Sequence, residues 1–63
     1  MTIWNCEIAM LWSGDYWDTE VIQVTAPSDI LYMELDDIAR EQIYERDDDM
    51  MGCYLYNYWR EED

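Results

Sequence analysis

The stretch from Thr19 to Arg46, TEVIQVTAPSDILYMELDDIAREQIYER, changes its period in the middle, and that change decides the fold. Its opening residues Val21, Ile22, Val24 and Thr25 are β-branched, which favours a strand over Thr19–Thr25. Ala26-Pro27-Ser28 ends that strand, because Pro27 has no N–H to give to a ladder. Beyond Pro27 the apolar spacing becomes helical. Leu31, Leu35, Ile38, Ala39 and Ile43 fall on one side of a 3.6-residue wheel. Ser28 is a favoured N-cap residue, and Asp29 carries its charge where the helix dipole stabilises an anion. The sequence therefore predicts a helix from Asp29 to about Arg46.

On the N-terminal side, Thr2–Trp12 reads as a strand whose even positions Trp4, Cys6, Ile8, Met10 and Trp12 form one apolar row, while the odd row contains Asn5 and Glu7. Ser13-Gly14-Asp15 supplies turn chemistry, so the first two strands form a hairpin with its loop near Ser13–Trp17. On the C-terminal side, Met50–Trp59 reads as a third strand, with Met51, Cys53 and Leu55 inward and Tyr54, Tyr56 and Tyr58 on the opposite face. The expected fold class is α+β: a single ββαβ domain over residues 1–63, with a three-stranded antiparallel sheet and one amphipathic helix on one face. The uncovered face then carries Tyr54, Tyr56 and Tyr58 with Ile3 and Leu11. A contiguous aromatic surface on so small a chain marks an interface. A homodimer packed back to back through these tyrosines is the first expectation, and pairing of edge strands is the alternative.

Composition narrows the function classes. Sixteen Asp and Glu stand against three Arg, with no Lys and no His, giving a formal charge of −13. An apolar fraction of 51% separates the chain from disordered acidic tails, which lack large apolar residues. Direct nucleic-acid binding and anionic membrane surfaces are disfavoured, since both need clustered Lys and Arg. The first apolar stretch is interrupted by Glu7 and preceded by no basic residue, and no run approaches the ~18 apolar residues of a membrane span. A cytoplasmic protein with reduced Cys6 and Cys53 is expected, the two thiols being structural rather than disulfide-bonded.

Catalytic equipment is missing. Without His or Lys the commonest general base and the amine nucleophile are lacking, and Ser13 and Ser28 have turn and cap roles instead. Asp36 and Asp37 are adjacent on a helix and so point to different sides. Cys6 lies in an apolar row that disfavours its thiolate. No cofactor site is read. Two cysteines without histidine fall short of a tetrahedral zinc site. Asp47-Asp48-Asp49 lacks the alternation of an EF-hand, with Gly52 in the sixth place but Tyr58 in the twelfth. The expectation is a protein that is not an enzyme and holds no metal.

What remains is charge. Glu34, Asp37, Glu41 and Glu45 step along one side of the helix by three or four residues, which spaces them ~4.5–6 Å along its axis. Like charges at those spacings repel, and only Arg40 and Arg46 lie nearby, with Asp36 and Asp37 both able to compete for Arg40. Together with Asp47, Asp48 and Asp49 they present anions at intervals comparable with those of a phosphate backbone. In charge and architecture across the whole chain, though in no diagnostic motif, the sequence resembles the small acidic bacteriophage proteins that disable host defence, of the DNA-mimic anti-restriction and anti-CRISPR kinds. The resemblance implies a stoichiometric inhibitor seated in the basic nucleic-acid channel of a host protein or nucleoprotein complex. The alternative is an aromatic-faced interaction or structural phage protein, with Tyr54, Tyr56, Tyr58, Trp59 and Trp17 as anchors and the charge serving solubility.

Overall fold

A computed structural model describes residues 1–61 and has the expected ββαβ order: β1 (Thr2–Trp12), β2 (Tyr16–Ala26), α1 (Tyr32–Arg46) and β3 (Gly52–Arg60). The three strands form one antiparallel sheet in the order β2-β1-β3. β1 is central because its even row is the longest apolar row in the chain. Trp4, Cys6, Ile8 and Met10 are buried there, under Leu35, Ala39 and Ile43 of α1. Val24 and Ala26 of β2 and Leu55 of β3 complete the same core. β2 starts at Tyr16, three residues before the predicted Thr19, because Trp12 pairs with Tyr16 across a loop of only Ser13, Gly14 and Asp15. Both Gly14 (φ +92°) and Asp15 (φ +61°) take left-handed backbone there, which glycine and aspartate tolerate best.

The helix begins later than Asp29. The Ile30 N–H bonds the Pro27 carbonyl at 3.2 Å, closing a turn that contains Ser28 and Asp29, and Leu31 at φ −77°, ψ 150° is the extended N-cap, with no side-chain bond. Ser28 is therefore a turn residue and not a cap. The turn brings Ile30 onto the core, and Leu31, expected in the apolar stripe, is 66% exposed. Leu35, Ile38, Ala39 and Ile43 do face the sheet. At the other end the roles of two methionines differ from the reading: Met50 is buried, while Met51 is exposed and precedes β3.

The largest departure is in β3. The register against β1 slips between Glu7 and Ile8: Asn57 pairs with Glu7, but Leu55 pairs with Ile8, leaving Tyr56 as the extra residue of a bulge. A bulge reverses which alternate residues face the core. Cys53 and Leu55 face the helix on one side of it, and Tyr58 and Arg60, opposite Cys6 and Trp4, face the helix on the other. Tyr54, Tyr56 and Tyr58 are thus not one ladder. Tyr58 packs between Trp4 and Tyr32, with ring centroids 5.8 Å from each, on the covered face. Tyr54 stays on the open face, edge-on to Trp17 at 6.0 Å and 6.4 Å from Tyr56.

The helix fastens the bulge. Tyr32 Oη donates to the Leu55 carbonyl at 2.6 Å, and the Leu55 N–H donates to Asp36 Oδ1 at 2.8 Å. Tyr32 and Asp36 are one helical turn apart, so a single face of α1 satisfies both backbone groups that Leu55 turns away from β1. Asp36→Ala strands that N–H and releases Arg40, and is expected to lower stability by about 1–3 kcal/mol in urea unfolding. A loss under about 0.5 kcal/mol would mean that water satisfies Leu55 equally well.

Candidate acidic binding surface

Each of the three arginines is engaged within the chain. Arg40 pairs with Asp36 at 2.9 Å and Asp37 at 2.8 Å. Arg46 pairs with Glu20 of β2 and lies 3.7 Å from Asp47. Arg60 stacks 5.4 Å from the centre of the Trp4 ring and donates to the Ser28 carbonyl at 3.2 Å. Asp36, first, and Asp37 hold the Arg40 guanidinium's affinity for its proton above the ordinary value, and Glu20 does the same for Arg46. No cation therefore answers Glu34, Glu41, Glu45, Asp48 or Asp49, all of them exposed, among the described residues. Of the seven acids singled out in the sequence, Asp37 and Asp47 are the two with arginine partners. Asp36, which helical spacing sets in competition with Asp37 for Arg40, also accepts from the Leu55 N–H and is a fold residue.

Arg46 explains how the helix ends next to three aspartates. It occupies the last turn, where a cation complements the dipole, and the Asp47 N–H bonds the Ile43 carbonyl at 2.8 Å. Asp47-Asp48-Asp49 then leads toward β3, whose entry is fixed by the Met51 N–H on the Leu11 carbonyl at 2.8 Å. Among the described residues no three Asp, Glu or Cys side chains converge as a metal would require.

The other side of the sheet has different chemistry. Its residues from β1 and β2 are Ile3, Asn5, Glu7, Ala9 and Leu11 opposite Thr25, Gln23, Val21, Thr19 and Trp17. One acid, Glu7, lies among them. At one end Asn5, only 8% exposed, donates to Glu61 at 2.6 Å, and Gln23 donates to both Asn5 and Glu61 at 3.4 and 3.2 Å. A shallow depression of about 560 Å³ lies here, lined by Asn5, Trp59, Arg60 and Glu61. At the other end sits the aromatic group Trp17, Tyr54 and Tyr56. The unpaired acid row thus lies on the helix side, and this aromatic group lies on the open face, which also carries Glu7 and Glu61. The strand periodicity reports the open-face position of Tyr54, and the bulge moves Tyr58 off that face.

The two thiols stay apart from this surface chemistry. Cys6 and Cys53 are unbonded to each other. Burial pushes the Cys6 thiol up to about 11 from 9.0, and Cys53 is raised for the same reason. The native state then holds its protons more tightly than the unfolded chain. The associated stability is whole below pH 9 and is lost as pH climbs through 11, amounting to roughly 2–3 kcal/mol for Cys6. Tyr32, raised chiefly by burial, and Tyr44, raised chiefly by its bond to Cys53, act in the same direction. Urea midpoints at pH 8 and 11 are expected to diverge less in Cys6→Ala than in the parent; an equal divergence would remove Cys6 from the account.

No family model, curated protein or solved structure matches this chain. No helix among the described residues is long and apolar enough to cross a membrane.

Proposed function

We propose that this protein is a non-enzymatic acidic inhibitor that occupies a Lys/Arg-lined, nucleic-acid-binding surface of a host protein or nucleoprotein complex. The observation that carries this reading is the consumption of every arginine inside the fold, which leaves Glu34, Glu41, Glu45, Asp48 and Asp49 without a counter-ion among the described residues. A chain that needed acids only for solubility gains nothing from leaving them unanswered at −13, because self-repulsion opposes the compact state. A basic groove would replace the missing cations. The wider reading is a phage-encoded protein working in the cytoplasm of a bacterial host, without cofactor or metal. Direct contact with nucleic acid or an anionic membrane is no part of it, since no arginine is left over to neutralise phosphate.

A second reading rests on the group Trp17, Tyr54 and Tyr56, because Trp and Tyr are the residues most enriched among interface hot spots. There the aromatic face meets the partner and the charge only steers the approach. Capture from bacterial lysate on immobilised protein separates the two. The first reading expects nucleic-acid-binding proteins that elute with added duplex DNA and with salt rising from roughly 50 to 500 mM. Retention unaffected by salt and DNA, but abolished by Tyr54→Ala with Tyr56→Ala, would replace it with the second.

A further inference from the structure

The two edges of the sheet are finished differently. The Met51 N–H bonds the Leu11 carbonyl and the Glu61 N–H bonds the Ile3 carbonyl, so the odd residues of β1 address β3 and its even residues address β2. The residues of β2 opposite those even ones are themselves even. Trp17, Thr19, Val21, Gln23 and Thr25 therefore turn their N–H and C=O groups outward, away from the sheet. On the β3 edge the middle of the strand is closed: Asp36 and Tyr32 hold both outward groups of Leu55, and Asn57 Oδ1 accepts the Tyr58 N–H at 2.9 Å. On β2, among the described residues, only Thr19 is closed, its N–H bonded to Asp18 Oδ1 at 2.9 Å. At the far end Pro27 has no N–H, and its carbonyl already accepts from Trp4 Nε1 and Ile30 N, both at 3.2 Å. Between these two stops lies VIQVT, residues 21–25, uncharged and β-branched at four of its five positions, with the outward groups of Val21, Gln23 and Thr25 facing solvent.

We propose that this open edge pairs with the same edge of a second copy, antiparallel, about a two-fold axis at Gln23. The free stretch selects the occupant and the register. An axis at Gln23 sets Val21 against Thr25 of the other copy, Gln23 against Gln23, and Thr25 against Val21, three doubly hydrogen-bonded pairs that use every open group of the stretch. Moving the axis by one residue brings either Thr19 or Pro27 into the ladder, where a donor is already taken or absent. The same register sets Glu20 against Ala26 and keeps Asp18 beyond the ladder, so no acid on the strand opposes another, a requirement at −13 per copy. Ile22, half-exposed in one chain, meets Val24 of the other on the helix side.

The product is a continuous six-stranded sheet. A two-fold axis perpendicular to the sheet keeps both helices on the same face, which places two acidic helix rows side by side and doubles the length of anionic surface. The opposite face then carries two copies of the aromatic group. This assembly stands whether or not the basic-groove reading does, because its evidence is the backbone of β2 and not the charge.

Sedimentation measures it directly. Wild type is expected to approach twice its 7.7 kDa mass with rising concentration, and more readily at 500 mM salt than at 50 mM, since screening relieves repulsion between like-charged copies. That salt response is opposite in sign to capture of a basic partner. Val21→Pro removes an outward N–H that the single chain does not use, a place where an edge strand tolerates proline. It is expected to remain folded by circular dichroism and monomeric at all concentrations. Gln23→Cys gives up the side-chain bonds to Asn5 and Glu61 but leaves the strand backbone unchanged, and cysteines opposed at the axis have Cα atoms about 5.5 Å apart, within disulfide reach. Under mild oxidation it is expected to give a covalent dimer, and Thr19→Cys, set against proline, is not. A wild type monomeric at millimolar concentration overturns the proposal. So does a dimer that persists in Val21→Pro while Gln23→Cys fails to cross-link, which would assign self-association to Tyr54, Tyr56 and the open face.

Discussion

Leu35→Ala is expected to remove most of the stability of this protein. Leu35 is fully buried, and it reaches the core from the one helix that covers the sheet. Cutting it to alanine loses the transfer free energy of its methyl and methylene groups and leaves a cavity, together about 2–5 kcal/mol for buried leucines. Domains hold roughly 0.05–0.15 kcal/mol of stability per residue, so a chain of 63 residues has about 3–9 kcal/mol in all. The single change thus approaches the whole. Urea unfolding followed by tryptophan fluorescence reads it: Trp4 lies in the same core, and the midpoint is expected to fall to a small fraction of the parent value. Ile30→Ala, on the half-buried turn residue, is expected to lose less. Equal losses at the two positions would mean that the turn and the helix contribute alike to the core.

That core was legible because periodicity reports burial wherever the backbone is regular. The even row of β1 is uninterrupted, and from Leu35 onward the helix keeps a clean 3.6-residue spacing, so Trp4, Cys6, Ile8, Met10, Leu35, Ala39 and Ile43 were all assigned correctly. The errors fall where the backbone departs from a repeat. At Pro27–Ile30 a turn closed by main-chain bonding takes over residues whose types suit a helix cap. In β3 a bulge inserts Tyr56, and every residue beyond it changes face. A bulge leaves no mark in alternating tyrosines; only the pairing with β1 reveals it. The signal that could have located it is Asp36 and Tyr32, a polar pair one turn apart on a helix, for which a strand backbone without a partner is a natural target.

The candidate surface was legible in part for the same reason. Helical spacing placed Glu34, Asp37, Glu41 and Glu45 correctly on the solvent side, since all four are exposed. Local helical spacing pairs Asp36 and Asp37 with Arg40, but the neutralisation of Glu20 depends on long-range geometry. Glu20 comes from β2 to meet Arg46 at the end of the helix, a pairing across 26 positions that no local spacing encodes. The arginines thus fasten elements together: Arg46 joins helix to strand, and Arg60 holds the turn after β2 against Trp4. Basic residues are spent on the fold, and the acidic excess is left outside.

That division makes the charge experiment cleaner than it would be in most proteins. Glu34, Glu41 and Glu45 make no ion pair with any described residue, so replacing them together by glutamine removes charge without removing an internal bond. Stability is expected to rise slightly, because like charges at helical spacing are mutually destabilising by a few tenths of a kcal/mol each. Binding to a basic groove is expected to collapse. A charge contact at 4 Å is worth about 1 kcal/mol in water and more where solvent is excluded, so three lost contacts amount to at least about 3 kcal/mol, or roughly 100-fold in affinity. The dependence on salt is expected to flatten in parallel, since fewer charges remain to be screened. Asp36→Ala is the contrasting change, lowering stability through Leu55 and Arg40 while leaving the exposed row intact. With protein captured from lysate as the ligand, the triple variant is therefore expected to be at least as stable as the parent and about 100-fold weaker. If it is as stable and binds within threefold of the parent at low salt, the helix row is only a solvated surface, and the partner must meet this chain through Trp17, Tyr54 and Tyr56.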